Sequence, residues 1–143
     1  MIYATVITDA SFDSRDNSAG WAAWIRVDGH DQPVKRYGAF KGRIDTSTDA
    51  EKKAALNGIA IAKGMGADFV LLQTDCMAVV NCMAGHMRKR KTISNWNCMI
   101  EASGLRGFKM TARHVKGHTK TKDARSYVNR WCDKMANKAR KST

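Results

Sequence analysis

The chain has 143 residues and a single proline, Pro33. No linker, internal repeat or low-complexity segment divides it, and the length suffices to bury a core, so one domain over residues 1–143 is expected. Its four cysteines, Cys76, Cys82, Cys98 and Cys132, stand 6, 16 and 34 positions apart. That spacing contains no CxxC pair and excludes the usual zinc frameworks; reduced, buried thiols are the expectation. No apolar run approaches the ~20 residues that a membrane helix needs. The first strand begins almost at Met1 with no signal-peptide pattern before it, so a cytoplasmic location, no membrane partner and a monomer are expected. Acid is scarce in one half only. Residues 1–85 carry 9 Lys/Arg against 10 Asp/Glu, whereas residues 86–143 carry 16 against 3. A one-sided surplus of this kind, within a formal net charge of +12, points to a polyanionic partner, most often nucleic acid.

What is present reads as an alternation of strands and helices. Tyr3 to Phe12 is an apolar, β-branched run broken by one acid, Asp9, and then by Ala10 and Ser11. Such a run suits a central strand covered on both faces. Gly20 to Val27 reads as a second strand and Asp28-Gly29 as a hairpin turn. Val34 to Lys41 reads as a third strand, at the sheet edge because a proline precedes it. The clearest helix follows: apolar residues recur at i, i+4 from Ala50, and Gly64-Met65-Gly66 ends it. Phe69 to Asp75 is a short apolar strand reached through that helix, as a parallel crossover requires. Cys76 to Met83 reads as a short helix, a second begins with Ser94 as its cap, Lys109 to Val115 reads as a fifth strand, and a last helix starts near Asn129. The order βββαβαα or βββαβααβα describes an α/β fold, a mixed sheet with helices on its faces.

Four acids fall where these elements can converge: Asp9 and Asp75 at strand ends, Glu51 near a helix start and Asp133 in the last helix. Several oxygen ligands with no CxxC or His pairing suit a hard divalent cation. Each has a plainer explanation too. Thr48 with Glu51 three residues on is a capping-box pattern, Asp9 and Asp75 could form turns, and Asp133 could sit favourably near a helix N-terminus. His114 and His118 have i, i+4 spacing, but Lys116-Gly117 between them argues against a helical zinc pair. Arg88-Lys89-Arg90-Lys91 is either solvated surface or a phosphate-binding run.

Taken together, the motifs Ile7-Thr8-Asp9-Ala10-Ser11, Thr46-Ser47-Thr48-Asp49-Ala50-Glu51, Leu72-Gln73-Thr74-Asp75, Val115-Lys116-Gly117-His118 and Asn129-Arg130-Trp131-Cys132-Asp133 resemble type 1 ribonuclease H, in order and over nearly the whole chain. The resemblance implies a ribonuclease H-like fold: a five-stranded mixed sheet, three strands antiparallel and then two parallel, flanked by helices. It also implies an endonuclease that cuts the RNA strand of RNA/DNA hybrids. Two Mg²⁺ ions, for which Mn²⁺ can substitute, would be held by Asp9, Glu51, Asp75 and Asp133, with His118 assisting proton transfer or product release. Thr46 falls where the family grips a phosphate of the DNA strand and Thr48 near the position that touches the minor groove.

The chain departs from the pattern in three places. Only His86 to Thr92 stands where longer members carry a basic protrusion, Cys76 and Met77 follow Asp75 where many have polar residues, and the basic insert Lys120 to Tyr127 lengthens the stretch between His118 and Asp133. A nuclease of the same fold acting on branched DNA, and a non-catalytic hybrid-binding module, are the competing readings. Charge removal across Arg88 to Lys91 should weaken hybrid binding and flatten the slope of log K against log salt by roughly 0.9 for each lost phosphate contact. An unchanged slope in the quadruple alanine variant would mark the run as plain surface.

Overall fold

The computed structural model describes residues 1–116 and 124–142, the side chains of 124 and 125 excepted. Its elements are β1 (Tyr3–Asp13), β2 (Ser18–Val27), β3 (Val34–Ala39), α1 (Ser47–Gly64), β4 (Phe69–Thr74), α2 (Met77–Ala84), α3 (Arg90–Ala102), β5 (Lys109–His114) and α4 (Ala124–Lys141). The strands form one sheet in the order β3-β2-β1-β4-β5. β1 to β3 are antiparallel, while β1 with β4 and β4 with β5 are parallel. The five-stranded mixed sheet expected from the sequence is therefore the observed one.

β1 is apolar on both faces because both are covered. On one face Val6, with Ala23, Ile25, Val70 and Leu72, packs beneath Ala55, Leu56 and Ile59 of α1. On the other, Ile7 and Ala22 meet Val128, Cys132 and Ala136 of α4. Burying each large aliphatic side chain contributes about 1.5–3 kcal/mol before the entropy of ordering is counted. Two glycines set how closely the helices approach. A Cβ on Gly58 of α1 would stand 2.7 Å from Val6 Cγ1, and one on Gly20 of β2 would run into the Ala136 carbonyl and lie 2.5 Å from the Arg140 nitrogen of α4.

Several boundaries differ from the sequence reading. β1 does not stop at Asp9: its antiparallel pairing with β2 continues to Asp13 opposite Ser18. α1 starts earlier, with Thr46 as its N-cap accepting the Asp49 N–H at 3.0 Å, which removes the Thr48–Glu51 capping box. α3 starts from Lys89, not Ser94: the Ile93 N–H donates to the Lys89 carbonyl at 3.1 Å, so the basic run is already helical from Arg90. α4 begins at Ala124, five residues before Asn129, since Val128 belongs to its buried face. Among the cysteines only Cys82 and Cys132 are buried; Cys76 is half-buried and Cys98 exposed, and all four are free. No helix among the described residues is long and apolar enough to cross a membrane.

Gly20→Ala should force α4 off β2. Overpacking of this kind costs roughly 1–3 kcal/mol, and with backbone atoms as the obstacle the upper end is expected. A thermal melt should show a loss of about 5 °C or more, whereas alanine at Gly42, which has open space around its Cβ position, should leave the melt nearly unmoved.

Candidate active site

The site is built where the two parallel strands part. β4 follows β1 as far as Ile7 beside Gln73, and the next residues on the same face of each strand are Asp9 and Asp75. Asp9 continues in ladder with Ala22 of β2, so its backbone is held. Asp75 sits in a turn closed by the Cys76 N–H donating to Thr74 Oγ1 at 3.2 Å and by the Val115 N–H donating to the Thr74 carbonyl at 2.9 Å. His114 Nε2 lies 3.2 Å from the Asp75 carbonyl. Glu51 reaches the same point from the second turn of α1. Oxygens of Asp9, Glu51 and Asp75 lie within 4.8 Å of one another.

Little in the protein neutralises this cluster. The Ala10 N–H is shared between Asp9 Oδ1 at 2.9 Å and Glu51 Oε1 at 3.3 Å. Glu51 Oε2 is buried with no hydrogen-bond partner, as is Thr8 Oγ1 beside it in sequence order to Asp9. Among the described residues no lysine or arginine forms an ion pair with the three acids. Burial, first, and then the Asp9 and Asp75 charges push the Glu51 carboxyl from its ordinary 4.5 up to about 9. Burial, the Asp75 charge and, more weakly, the Asp133 charge push Asp9 from 3.8 to about 7. With no described lysine or arginine paired to them, Asp9 and Glu51 both hold a proton more tightly in the metal-free protein than a free carboxyl does. An unpartnered buried carboxylate oxygen among three acids fits a divalent cation, and the all-oxygen donor set suits a hard one.

Asp133 lines the same cleft, of about 250 Å³, as Asp9 and Asp75, but lies outside the group of three close carboxylates. Its neighbour Cys132 points its thiol at the Ile7 carbonyl, 3.7 Å away, which ties α4 to β1 two residues from Asp9; burial raises that thiol's pKa well above the ordinary range. His118 lies outside the described residues. Thr46 is exposed and Thr48 half-buried at the start of α1. Arg88 to Lys91 are exposed and lie beyond α2, whose eight residues separate them from Asp75 by about 12 Å of helix. Ser126, Asn129 and Arg130, which also line the cleft, went unassigned in the sequence. They stand seven, four and three residues before Asp133 on one helix face, and Ser126 joins that face only because α4 starts before Asn129.

A profile of the reverse transcriptase-like family matches residues 7–139. The chain belongs to this family, within the ribonuclease H-like superfamily. The resemblance to type 1 ribonuclease H read from the motifs is borne out. Among solved structures, the N-terminal RNase H domain of a Mycobacterium tuberculosis protein aligns over 99% of this chain and 96% of its own, with a TM-score of 0.74 and 19% identity. RNase H1 from the halophilic archaeon Halobacterium salinarum aligns over 99% of both chains, with a TM-score of 0.72 and 20% identity. LC11-RNase H1, isolated from compost and solved with an RNA/DNA hybrid, aligns over 97% of both, with a TM-score of 0.69 and 17% identity. No curated protein is a significant sequence match.

The raised carboxyl pKa values make the metal-free protein less stable as pH rises. A carboxyl that binds its proton more tightly when folded stabilises fully below its unfolded pKa, near 4, and that contribution is lost as pH climbs through 7 towards 9. Melts in EDTA from pH 4.5 to 9 should therefore fall. Asp9→Asn should flatten the fall and melt about 2–6 °C higher than the parent near pH 8; a variant that melts lower would make Asp9 a structural residue.

Proposed function

We propose that this protein is a metal-dependent endonuclease that hydrolyses the RNA strand of RNA/DNA hybrids, leaving 5′-phosphate and 3′-hydroxyl ends. The observation that carries the reading is the trio Asp9, Glu51 and Asp75, within 4.8 Å of one another and lacking any described cation partner, in a chain of the ribonuclease H-like superfamily. A neighbour in fold, LC11-RNase H1, is known in complex with an RNA/DNA hybrid.

In this reading Asp9, Glu51, Asp75 and Asp133 hold two Mg²⁺ ions, with Mn²⁺ able to substitute. When bound, such a pair supplies activation of a water and stabilisation of the leaving oxygen. The chain itself orients and gates. The Ala10 N–H fixes one oxygen each of Asp9 and Glu51, which leaves Glu51 Oε2 as the open acceptor. Protons bound at the raised affinity of Asp9 and Glu51 would compete with a cation for these carboxylates. Asp133, on a helix pinned to β1 through Cys132, closes the cleft from the α4 side. In this reading the attack on phosphorus is made directly by water, with no covalent intermediate on a side chain.

His118 takes the role of proton transfer or product release. Thr46 contacts a phosphate of the DNA strand: its Oγ1 already accepts the Asp49 N–H, so its own O–H proton is the group available to a phosphate oxygen. Thr48 lies against the minor groove, and Arg88, Lys89, Arg90 and Lys91 follow the backbone. Incubation in Mg²⁺ with matched labelled hybrid, duplex RNA and four-way DNA should give cleavage of the hybrid's RNA strand alone, and none in excess EDTA. Preferential cutting of the four-way DNA, or activity undiminished by EDTA, would overturn the reading.

A further inference from the structure

The face of the sheet that carries Asp9 and Asp75 is only half covered. α4 lies across β1, β2 and β3 and not across β4 and β5, so the lower part of that face is open among the described residues. Strand register lays out what it presents. One row across the sheet runs Arg26, Thr5, Leu71, Thr111, and the next runs Tyr3, Phe69, Lys109. Tyr3 is 51% exposed and meets Phe69 edge to face, ring centres 5.8 Å apart; Phe69 and Leu71 are half-buried and Arg26, Thr111 and Lys109 exposed. The middle is thus aromatic and aliphatic, with a cation at either margin. Arg113, one step along β5 from Thr111, is exposed as well and carries the basic margin up towards Asp75. The acids nearest in sequence, Asp28 and Asp68, lie at the strand ends, and the Asp68 carboxylate is occupied by the Ile2 N–H at 2.8 Å.

We propose that this open sheet face is a second nucleic-acid site, specific for single strands, on which bases stack against Tyr3 and Phe69 while Arg26, Lys109 and Arg113 take the phosphates. Aromatic rings on a flat sheet between basic margins are the combination that holds unpaired bases, each of which has a face to stack. A duplex hides its bases and leaves such rings unused. A second copy of this chain is disfavoured by charge, since self-contact would set Arg26 and Lys109 against cations, and lysine and arginine along the outer strand β5 discourage strand pairing. Asp75, Gln73, Leu71 and Phe69 share one face of β4, with Gln73 buried between the platform and the acids, so the platform lies about 13–20 Å from the carboxylates along the strand.

Binding is measured in EDTA, by fluorescence anisotropy with a labelled oligo(dT) of about 15 nucleotides, within the site sizes usual for such platforms. The result therefore does not depend on whether the proposed hydrolysis is correct. Tyr3→Ala should weaken binding roughly tenfold, one stacked base, while Tyr3→Phe, which keeps the ring, should bind as the parent does. Arg26→Glu and Lys109→Glu should each weaken binding and flatten the salt slope by roughly 0.7 per lost phosphate contact. Lys41→Glu makes the same charge change beside Asn57 and Ile61 on the α1 side and should cost much less. Thermal melts matching the parent's would show that the variants fold. Equal loss in Lys41→Glu and the two platform variants would reduce the effect to net charge and overturn the proposal. So would unchanged binding in Tyr3→Ala, or light scattering that shows a parent dimer dissociating in Arg26→Glu.

Discussion

Three carboxylates are held within 4.8 Å against their own repulsion, and much of the architecture serves that placement. Two unit charges at such a distance repel by about 3–4 kcal/mol at an effective dielectric of ~20, which is a large share of a domain's net stability. The parallel register of β1 and β4, Ile7 beside Gln73, puts Asp9 and Asp75 next to each other on one face, and a slip of one residue would turn Asp9 to the other. That register is secured well away from the acids, by Ala4, Val6, Val70 and Leu72 in the main core. Burial and mutual repulsion raise the proton affinity of Asp9 and Glu51, and a bound cation would relieve the same repulsion.

The last helix is held by a different set of contacts. Gly20 lets α4 approach β2 backbone to backbone, and the Cys132 thiol meets the Ile7 carbonyl. Farther along, Arg140 Nε donates to Ser11 Oγ at 2.7 Å and the Ser11 hydroxyl donates to Asn137 Oδ1 at 2.5 Å. Arg140 also lies 3.6 Å from Asp13, which Arg15 grips at 2.6 Å; the hydrogen bonds from Arg15, helped by the Arg140 charge, hold the Asp13 carboxyl well below the usual carboxylate range. The extension of β1 beyond Asp9 therefore has a use: Ser11 and Asp13 are the anchor for the C-terminal half of α4, and so for the angle at which Asp133 faces the cleft.

Charge is partitioned over this frame. Asp9, Glu51 and Asp75 form no ion pair with a lysine or arginine among the described residues, Arg130 lines the cleft beside Asp133, and exposed lysines and arginines stand on the α3 start and on the outer strand β5. The cations at the beginning of α3 are there at a cost, because Lys89, Arg90 and Lys91 face the positive end of the helix dipole and that first turn contains no acid. A polyanion lying over this end would relieve both the dipole and the crowded charge.

Much of this was legible in residue order alone. The apolar run ending near Asp9, the i, i+4 pattern of α1 and the apolar strand before Asp75 follow from burial period, which is local in sequence, so the antiparallel meander and the parallel crossover could be read off, while the second parallel pair came with the family resemblance. Asp9, Glu51, Asp75 and Asp133 were picked out as acids at element ends and assigned as ligands through the family resemblance. Helix starts were not. Thr48 with Glu51 looks like a cap, but Thr46 holds that place because the chain leaves β3 and enters α1 in the extended conformation two residues sooner. The beginning of α4, and with it the cleft-lining Ser126, Asn129 and Arg130, depends on packing against β1 and β2, contacts over a hundred residues apart in sequence. Sequence determined which residues are apolar, acidic and basic, and at what period. Only the tertiary structure decided that three acids share one end of two parallel strands, that one face of β4 and β5 is left uncovered, and how far the proton affinity of Asp9 and Glu51 is raised, because burial and through-space charge depend on distances that no local pattern encodes.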